Sequence, residues 1–242
     1  MAGIHGKNAS IRVSTTETAI SGVEMVALSA GSRVFQVSSS SQRNWRYDRE
    51  NTLIQFTTSA VQGAAANVND ANGVDLNTQT RLINYAGGAI HLGQYAAVAS
   101  GVFAMATSMT LSTVANLVGD NRNFTVTVNS DTVDSTVMGE AWKSFEEGLL
   151  GFEGSLEGLV IDNFWYKQAV QTLSGLAPRI VLRFQVDPRD QSSYYQGTVV
   201  FPSFEMTGGY DALVERSVDF QGRGPLDLIE GGVPFFKVHA TS

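Results

Sequence analysis

The chain has no cysteine, which excludes disulfides, thiolate metal sites and a cysteine nucleophile, and removes any need for an oxidising compartment. Histidine is nearly absent as well. His5, His91 and His239 are scattered, with no second ligand at metal spacing and no companion nucleophile, so they read as surface or strand positions. Long apolar runs are missing: Gln94 to Met105 is broken by Ser100 and Gly101, and MAGIHGKNAS has no apolar core after Lys7, so neither a signal peptide nor a membrane span is expected. No GxSxG, P-loop or dinucleotide fingerprint occurs. Positive charge is in short supply, with 16 Lys and Arg against 23 Asp and Glu, a net charge of −7. That is the wrong sign for a protein that grips phosphate through counterion release.

What is present is 242 residues, enough for one large β domain or two small ones with a sizeable core. The acidic excess is uneven. Residues 1–80 hold six basic and six acidic side chains, whereas residues 131–162 hold eight acids (Asp131, Asp134, Glu140, Glu146, Glu147, Glu153, Glu157 and Asp162) against Lys143 alone. Such a run is either a solvated face or a functional acidic surface.

Most of the pattern has period two, with the β-branched and aromatic content of strands. In Arg179 to Val186, Ile180, Leu182, Phe184 and Val186 are expected inward and Val181, Arg183 and Gln185 outward. Phe124, Val126 and Val128 alternate with Thr125 and Thr127. Tyr195, Gly197, Val199 and Phe201 mark another strand, and Val214 to Phe220 a further one with Val218 and Phe220 inward. These are half-buried strands of a sandwich or barrel. N-terminal strands are expected at Ser10 to Ser14, Arg33 to Ser38, Thr52 to Thr58 and Arg81 to Gly93.

Two segments break the rhythm. Asp162 is placed to cap a helix running to about Ser174, stopped by Gly175, with Phe164, Trp165, Ala169 and Leu173 at helical spacing. Ser59 to Gln79 is low in charge, rich in Ala, Asn and Gly, and without a sustained period, so it reads as a long loop. Loops of that length in compact domains are commonly committed to binding. Its residues Ala60, Gln62, Asn67, Asn69, Asp70, Asn72 and Asp75 are therefore the first candidates for contact with another subunit.

Chemistry finds little support. Glu153 and Glu157 share a strand face with Ser155 but stand roughly 13 Å apart, beyond the ~5 to 9.5 Å of glycoside hydrolysis. The run Asn67, Asn69, Asp70, Asn72, Gly73, Asp75 hints at calcium, but the glycine is out of register and no glutamate closes the loop. Arg43 to Arg49 interleaves bases with aromatics. Asp48 and Glu50 dilute its charge, however, and Trp45 and Tyr47 fall on one face, which favours packing over base stacking. Gly222, Gly224, Gly231 and Gly232 read as turn glycines. No catalytic, cofactor or metal residue is assigned.

Asn123 to Phe164, NFTVTVNSDTVDSTVMGEAWKSFEEGLLGFEGSLEGLVIDNF, resembles the central signature of siphophage major tail proteins. It has a Thr/Val strand, an Asp/Thr-rich turn, the tryptophan Trp142, a Glu-Gly turn at Gly148 and a strand bearing Gly-Ser from Gly154. Pro178 to Val186 and then YYQGTVVFPSFEMTGGYDALVERSVDFQGRGPL are similar to the closing strands of that family, with Tyr195 and Gly197 opening one strand and Phe220, Gly222 and Gly224 ending the last. VFQVSSSSQRNWRYDRENTLIQF followed by LINYAGGAIHLG is similar to an N-terminal segment in which Arg and Trp precede a strand and Tyr then Gly close a hairpin. Together these span about three quarters of the chain.

The resemblance implies a mainly β sandwich or barrel of the phage tail-tube type with one flanking helix and a long inter-strand loop. It implies one tail-tube domain over 1–242, divisible into a sheet region over 1–110 and a tail-tube block over 111–242. By the same resemblance, copies assemble into rings of six equivalent or pseudo-equivalent domains, six single-domain copies or three double-domain ones, that stack into a tube in the virion tail, built in the host cytoplasm. The implied partners are further copies, a tape measure protein, a tail terminator and a distal tail protein, with DNA passing through the lumen without tight binding. Glu140, Glu146, Glu147, Glu153 and Glu157 are then candidates for an acidic lumen or interface face. A distal-tail or baseplate-hub sandwich and a carbohydrate-binding sandwich are the alternatives.

Overall fold

A computed structural model describes residues 10–28, 32–48, 53–57, 75, 81–93, 103–117, 121–134, 145–160, 163–173, 180–185, 190, 192–210 and 213–236. The fold is mainly β with one helix. In chain order the elements are β1 (Ser10–Ile20), β2 (Val23–Ala27), β3 (Val34–Val37), a 3-10 turn (Ser40–Gln42), β4 (Leu53–Thr57), β5 (Arg81–Asn84), β6 (Ala89–Leu92), β7 (Phe103–Leu117), β8 (Asn121–Asp134), β9 (Phe145–Leu159), α1 (Phe164–Leu173), β10 (Ile180–Gln185), β11 (Tyr194–Thr207), β12 (Glu215–Glu230) and β13 (Val233–Pro234).

The chain forms two compact units. Unit one comprises Met1–Leu117, Val181–Gly197 and Asp227–Ser242; unit two comprises Val118–Ile180 and Thr198–Leu226. Strands β10, β11 and β12 thus contribute residues to both.

In unit one the strand order is β5-β6-β3-β2-β7-β1-β10, with β4 also paired to β7. Strand β7 holds this arrangement together by serving different neighbours along its length. Residues 103–108 pair with β4 and β2, and residues 109–117 pair with β1. The core under these strands contains Met25, Phe35, Val37, Trp45, Phe56, Ile90, Leu92, Ala104, Ala106 and Met109. Phe35 and Phe56 meet edge to face with ring centroids 5.6 Å apart. Trp45 is 1 % exposed and its indole N–H donates to the Gln42 carbonyl at 2.8 Å, so the one polar atom of the ring is satisfied while its body is buried. Tyr47 packs edge-on against Tyr85. Packing, not base stacking, is what this aromatic pair does.

Strand β10 departs from the expected alternation. Ile180, Leu182 and Phe184 are buried as expected, but Val181 and Gln185 are also buried, at 1 % and 3 %. The strand lies between β1 and β11 in the strand order, and an interior strand covered on both faces has no wet side to alternate toward. Val186 lies outside the described residues.

In unit two the order is β11-β12-β9-β8, and β9 pairs antiparallel with both β12 and β8. One face carries the buried Phe152, Leu156, Val218 and Phe220. Helix α1 presents Trp165 and Ala169, 2 % and 1 % exposed, as the helical spacing requires. Trp165 meets Phe201 at 5.3 Å, and the Arg216 guanidinium lies 5.0 Å over its ring. The first helical hydrogen bond runs from the Lys167 N–H to the Asn163 carbonyl, which makes Asn163 the N-cap. Asp162 and Gly175 lie outside the described residues.

Two further expectations are corrected. Val214 precedes β12 and is exposed. Gly222 and Gly224 do not end the last strand or form a turn: β12 runs through them to Glu230, and Gly231 and Gly232 make the turn that follows. Gly224 shares the positive φ of that pair, and Gly222 stays in the strand because its missing side chain makes room for the Phe152 ring.

Candidate assembly surface

Strands β9 and β12 pair with Phe220 opposite Gly154 and Gln221 opposite Glu153. A Cβ on Gly154 would strike the Thr125 carbonyl oxygen and come within 2.6 Å of the Phe220 ring. On Gly222 a Cβ would strike the Phe152 ring. The stretches Phe152-Glu153-Gly154 and Phe220-Gln221-Gly222 therefore interlock antiparallel, each aromatic ring filling the space that the opposite glycine leaves. The local pattern Phe-x-Gly, occurring once in each strand, is the sequence signal. Only the register turns it into a contact.

The other face of the same strands is polar. Glu153 and Glu157 are both exposed and on one side of β9, as the period-two reading requires. The Asn129 amide donates to Glu153 at 2.9 Å and the Asn123 amide to Glu157 at 3.3 Å. Asp219, opposite Ser155, accepts from the Ser203 hydroxyl at 2.6 Å. These three carboxylates thus accept side-chain hydrogen bonds from neutral partners. Arg122 and Glu215 form a fully solvated ion pair at 2.9 Å, which adds little stability.

Among the described residues the pairing of β9 with β12 ends at Glu153, while its pairing with β8 continues to Phe145. Among the described residues, 128–134 and 145–151 therefore extend as a two-stranded arm. Its surface is apolar in places: Val128 is 60 %, Leu149 82 % and Leu150 61 % exposed. Between the pairs Ser130 with Leu150 and Thr132 with Glu147, β9 uses one residue more than β8. Gly148 and Leu149 therefore form a bulge, which bends and twists such a ribbon. Among the described residues β8 is the end of the strand order, with its outer edge open.

Other expected site residues fall as follows. Glu146, Glu147 and Gly148 lie in β9. Asp75 is half-buried. Ala60, Gln62, Asn67, Asn69, Asp70 and Asn72, together with Glu140 and Trp142, lie outside the described residues. Gly197 is buried in β11 and Tyr195 is exposed. His91 sits against Phe236 at 5.6 Å, with its pKa lowered by burial and by Arg33. His5 and His239 are outside the description. Among the described residues no three acidic or histidine side chains gather at metal-ligand distance.

The alternation pattern does not disclose one partly buried group. Arg183, expected outward, is half-buried in unit one. Its guanidinium forks onto the Gln196 side-chain oxygen at 2.9 and 3.1 Å, bonds Asn44 at 2.7 Å and stacks 3.9 Å over the Tyr194 ring. Burial lowers its pKa, Tyr194 opposes that shift and Arg12 adds to it.

Fold and surface together define a mainly β protein with an interlocked sheet, an acidic exposed face and, among the described residues, an open strand edge. No protein-family model matches the chain, and no curated protein does. Among solved structures, a chain from the virion of a native gene transfer agent particle matches with a TM-score of 0.39 and 18 % identity, over 48 % of this chain and 88 % of that one. A chain from the tail of an empty gene transfer agent particle with C6 symmetry matches with a TM-score of 0.40 and 15 % identity, over 48 % and 86 %.

Proposed function

We propose that the chain is the tail-tube subunit of a tailed bacteriophage, a structural virion protein whose copies form stacked rings around the conduit for genome delivery. The observation that carries this reading is the unfinished sheet of unit two. Among the described residues a 14-residue strand, β8, ends the sheet with an open edge, and the arm beyond it exposes Leu149, Leu150 and Val128. A two-stranded ribbon is marginal in water by itself, and a long open edge invites another chain. A second copy supplies what is missing. Where the β8 edge meets a different surface of that copy, the contact is heterologous and repeats, closing into a ring or propagating as a filament.

The sequence resemblance to siphophage major tail proteins points the same way and supplies the remaining partners: a tape measure protein, a tail terminator and a distal tail protein. Segment 59–79 is proposed as the contact between rings. The face carrying Glu153, Glu157 and Asp219 is proposed to line the bore, where carboxylates repel the DNA backbone and let it slide. A carbohydrate-binding module is less well supported, since it would present tryptophan in a groove and both Trp45 and Trp165 are buried.

Sedimentation velocity across a concentration series tests the reading. The native chain is expected to form large polymers. Leu150→Asp, which puts a charge on an already exposed position, is expected to keep the folded monomer and lose the polymer. A native chain that stays monomeric throughout, or a Leu150→Asp variant that polymerises equally well, contradicts the proposed contact.

A further inference from the structure

Asp227, near the end of β12, is 8 % exposed. One carboxyl oxygen, Oδ2, accepts both the Tyr85 N–H at 2.6 Å and the Ala86 N–H at 3.0 Å. These are the first two residues of the turn joining β5 to β6. Around the same point the Asn84 amide donates to the Leu228 and Phe235 carbonyls at 3.2 and 3.1 Å, while its oxygen accepts the Gly87 N–H at 2.8 Å. A Cβ on Gly87 would come within 2.8 Å of Pro234. The turn and the C-terminal end of β12 with β13 are therefore held face to face, within unit one, by two side chains.

No ion pair reaches Asp227 among the described residues. The turn offers the Tyr85 phenol, β11 offers the Tyr194 phenol, and the stretch Val233, Pro234, Phe235 offers no ionisable group. Arg43 and Arg183 act on Tyr194, but their hydrogen bonds go elsewhere. Arg43 donates to the Val37 and Ser38 carbonyls, and Arg183 to Gln196 and Asn44.

We propose that Asp227 is a proton-operated latch: the fold that seats the β5–β6 turn on the end of β12 is most stable while the buried carboxyl is neutral, and ionisation, which leaves a desolvated charge with no cation paired to it among the described residues, weakens it. Burial pushes the carboxyl up to about 7, against the smaller pull of the Ala86 and Tyr85 N–H bonds. A carboxyl raised in the folded state contributes stability that is whole below its unfolded pKa of about 3.9, declines as pH rises, and is lost once pH passes the folded value. The latch is therefore closed in mild acid and weakened above neutrality. It does not depend on the tail-tube reading.

Because both N–H bonds go to one oxygen, Asp227→Asn can keep them through its amide oxygen while staying neutral at every pH. The ratio of folding constants, variant over native chain, is expected to rise on the order of 10²- to 10³-fold between pH 4 and pH 8. In the native chain the Asp227 carboxyl carbon, followed by NMR, is expected to titrate between about pH 6 and 8. Parallel stability curves for the two chains, or a carboxyl midpoint near 4, would overturn the latch. The second measurement needs no variant, so it decides the matter even if Asp227→Asn folds poorly.

Discussion

At the scale of single residues, the sheet of unit two depends on what two glycines leave out. Phe220 lies where a Gly154 Cβ would be and Phe152 where a Gly222 Cβ would be, so aromatic burial is obtained inside a strand pair without displacing the backbone. Gly154→Ala is expected to destabilise the protein by about 3 kcal/mol, since the new methyl meets a carbonyl oxygen and a packed ring that cannot both give way. Gly151→Ala is the matched control: a Cβ there meets nothing within 4 Å, and its urea midpoint is expected to stay close to that of the native chain. The individual glycines and Phe220 are visible in the sequence as family-like positions, but their pairing is not, because it depends on a register fixed by residues some seventy positions away. Arg183 and Asp227 are illegible for a related reason. A charged side chain in an alternating pattern is assigned to water, and only the neighbours brought by other strands, Asn44 and Gln196 for the first and the 85–88 turn for the second, make its burial tolerable.

At the scale of elements, helix α1 and most of the described strands follow from local pattern. The spacing of Trp165 and Ala169 sets the buried side of α1, and Val218 with Phe220 sets that of β12. Trp165→Ala removes the ring that Phe201, Phe164 and Arg216 surround. It is expected to cost about 3–5 kcal/mol in chemical denaturation, well above the effect of Leu150→Asp on the monomer. Strand β10 defeats the same method because period two presupposes one wet face, and β10 has none. The β8–β9 ribbon defeats it in the opposite direction. Phe124, Val126 and Val128 alternate as a buried strand should, yet exposure increases from half-buried Phe124 and Val126 to exposed Val128. The alternation continues past the point where β12 stops covering it, which is why this arm is read as a surface awaiting a second copy.

At the scale of the whole molecule, charge is divided between the two units. Unit one holds ten Lys and Arg and ten Asp and Glu, while unit two holds six and thirteen, so the entire −7 belongs to unit two. The sequence alone locates the excess beyond residue 80, but its assignment to one folded unit needs the interleaving of Val118–Ile180 with Thr198–Leu226. Copies that meet near unit two must overcome mutual repulsion, and screening lengths shrink from about 30 Å at 0.01 M salt to about 8 Å at 0.15 M. Association of the native chain is therefore expected to strengthen with added monovalent salt over that range, and a neutralised variant, Glu153→Gln with Glu157→Gln, is expected to associate with a weaker salt dependence. Light scattering at fixed protein concentration measures both. Equal salt slopes for the two chains would remove these carboxylates from the contact region and from the bore.

The most direct test of the central claim is electron microscopy of the purified chain over a rising concentration series, carried to a reconstruction where polymers form. Tubes of uniform bore and indefinite length are expected, built from repeated rings, with Glu153, Glu157 and Asp219 facing the channel and the β8 edge against a neighbouring copy. Persistent monomers at every concentration and salt, or tubes in which those carboxylates all lie on the outer wall and β8 touches nothing, would contradict it.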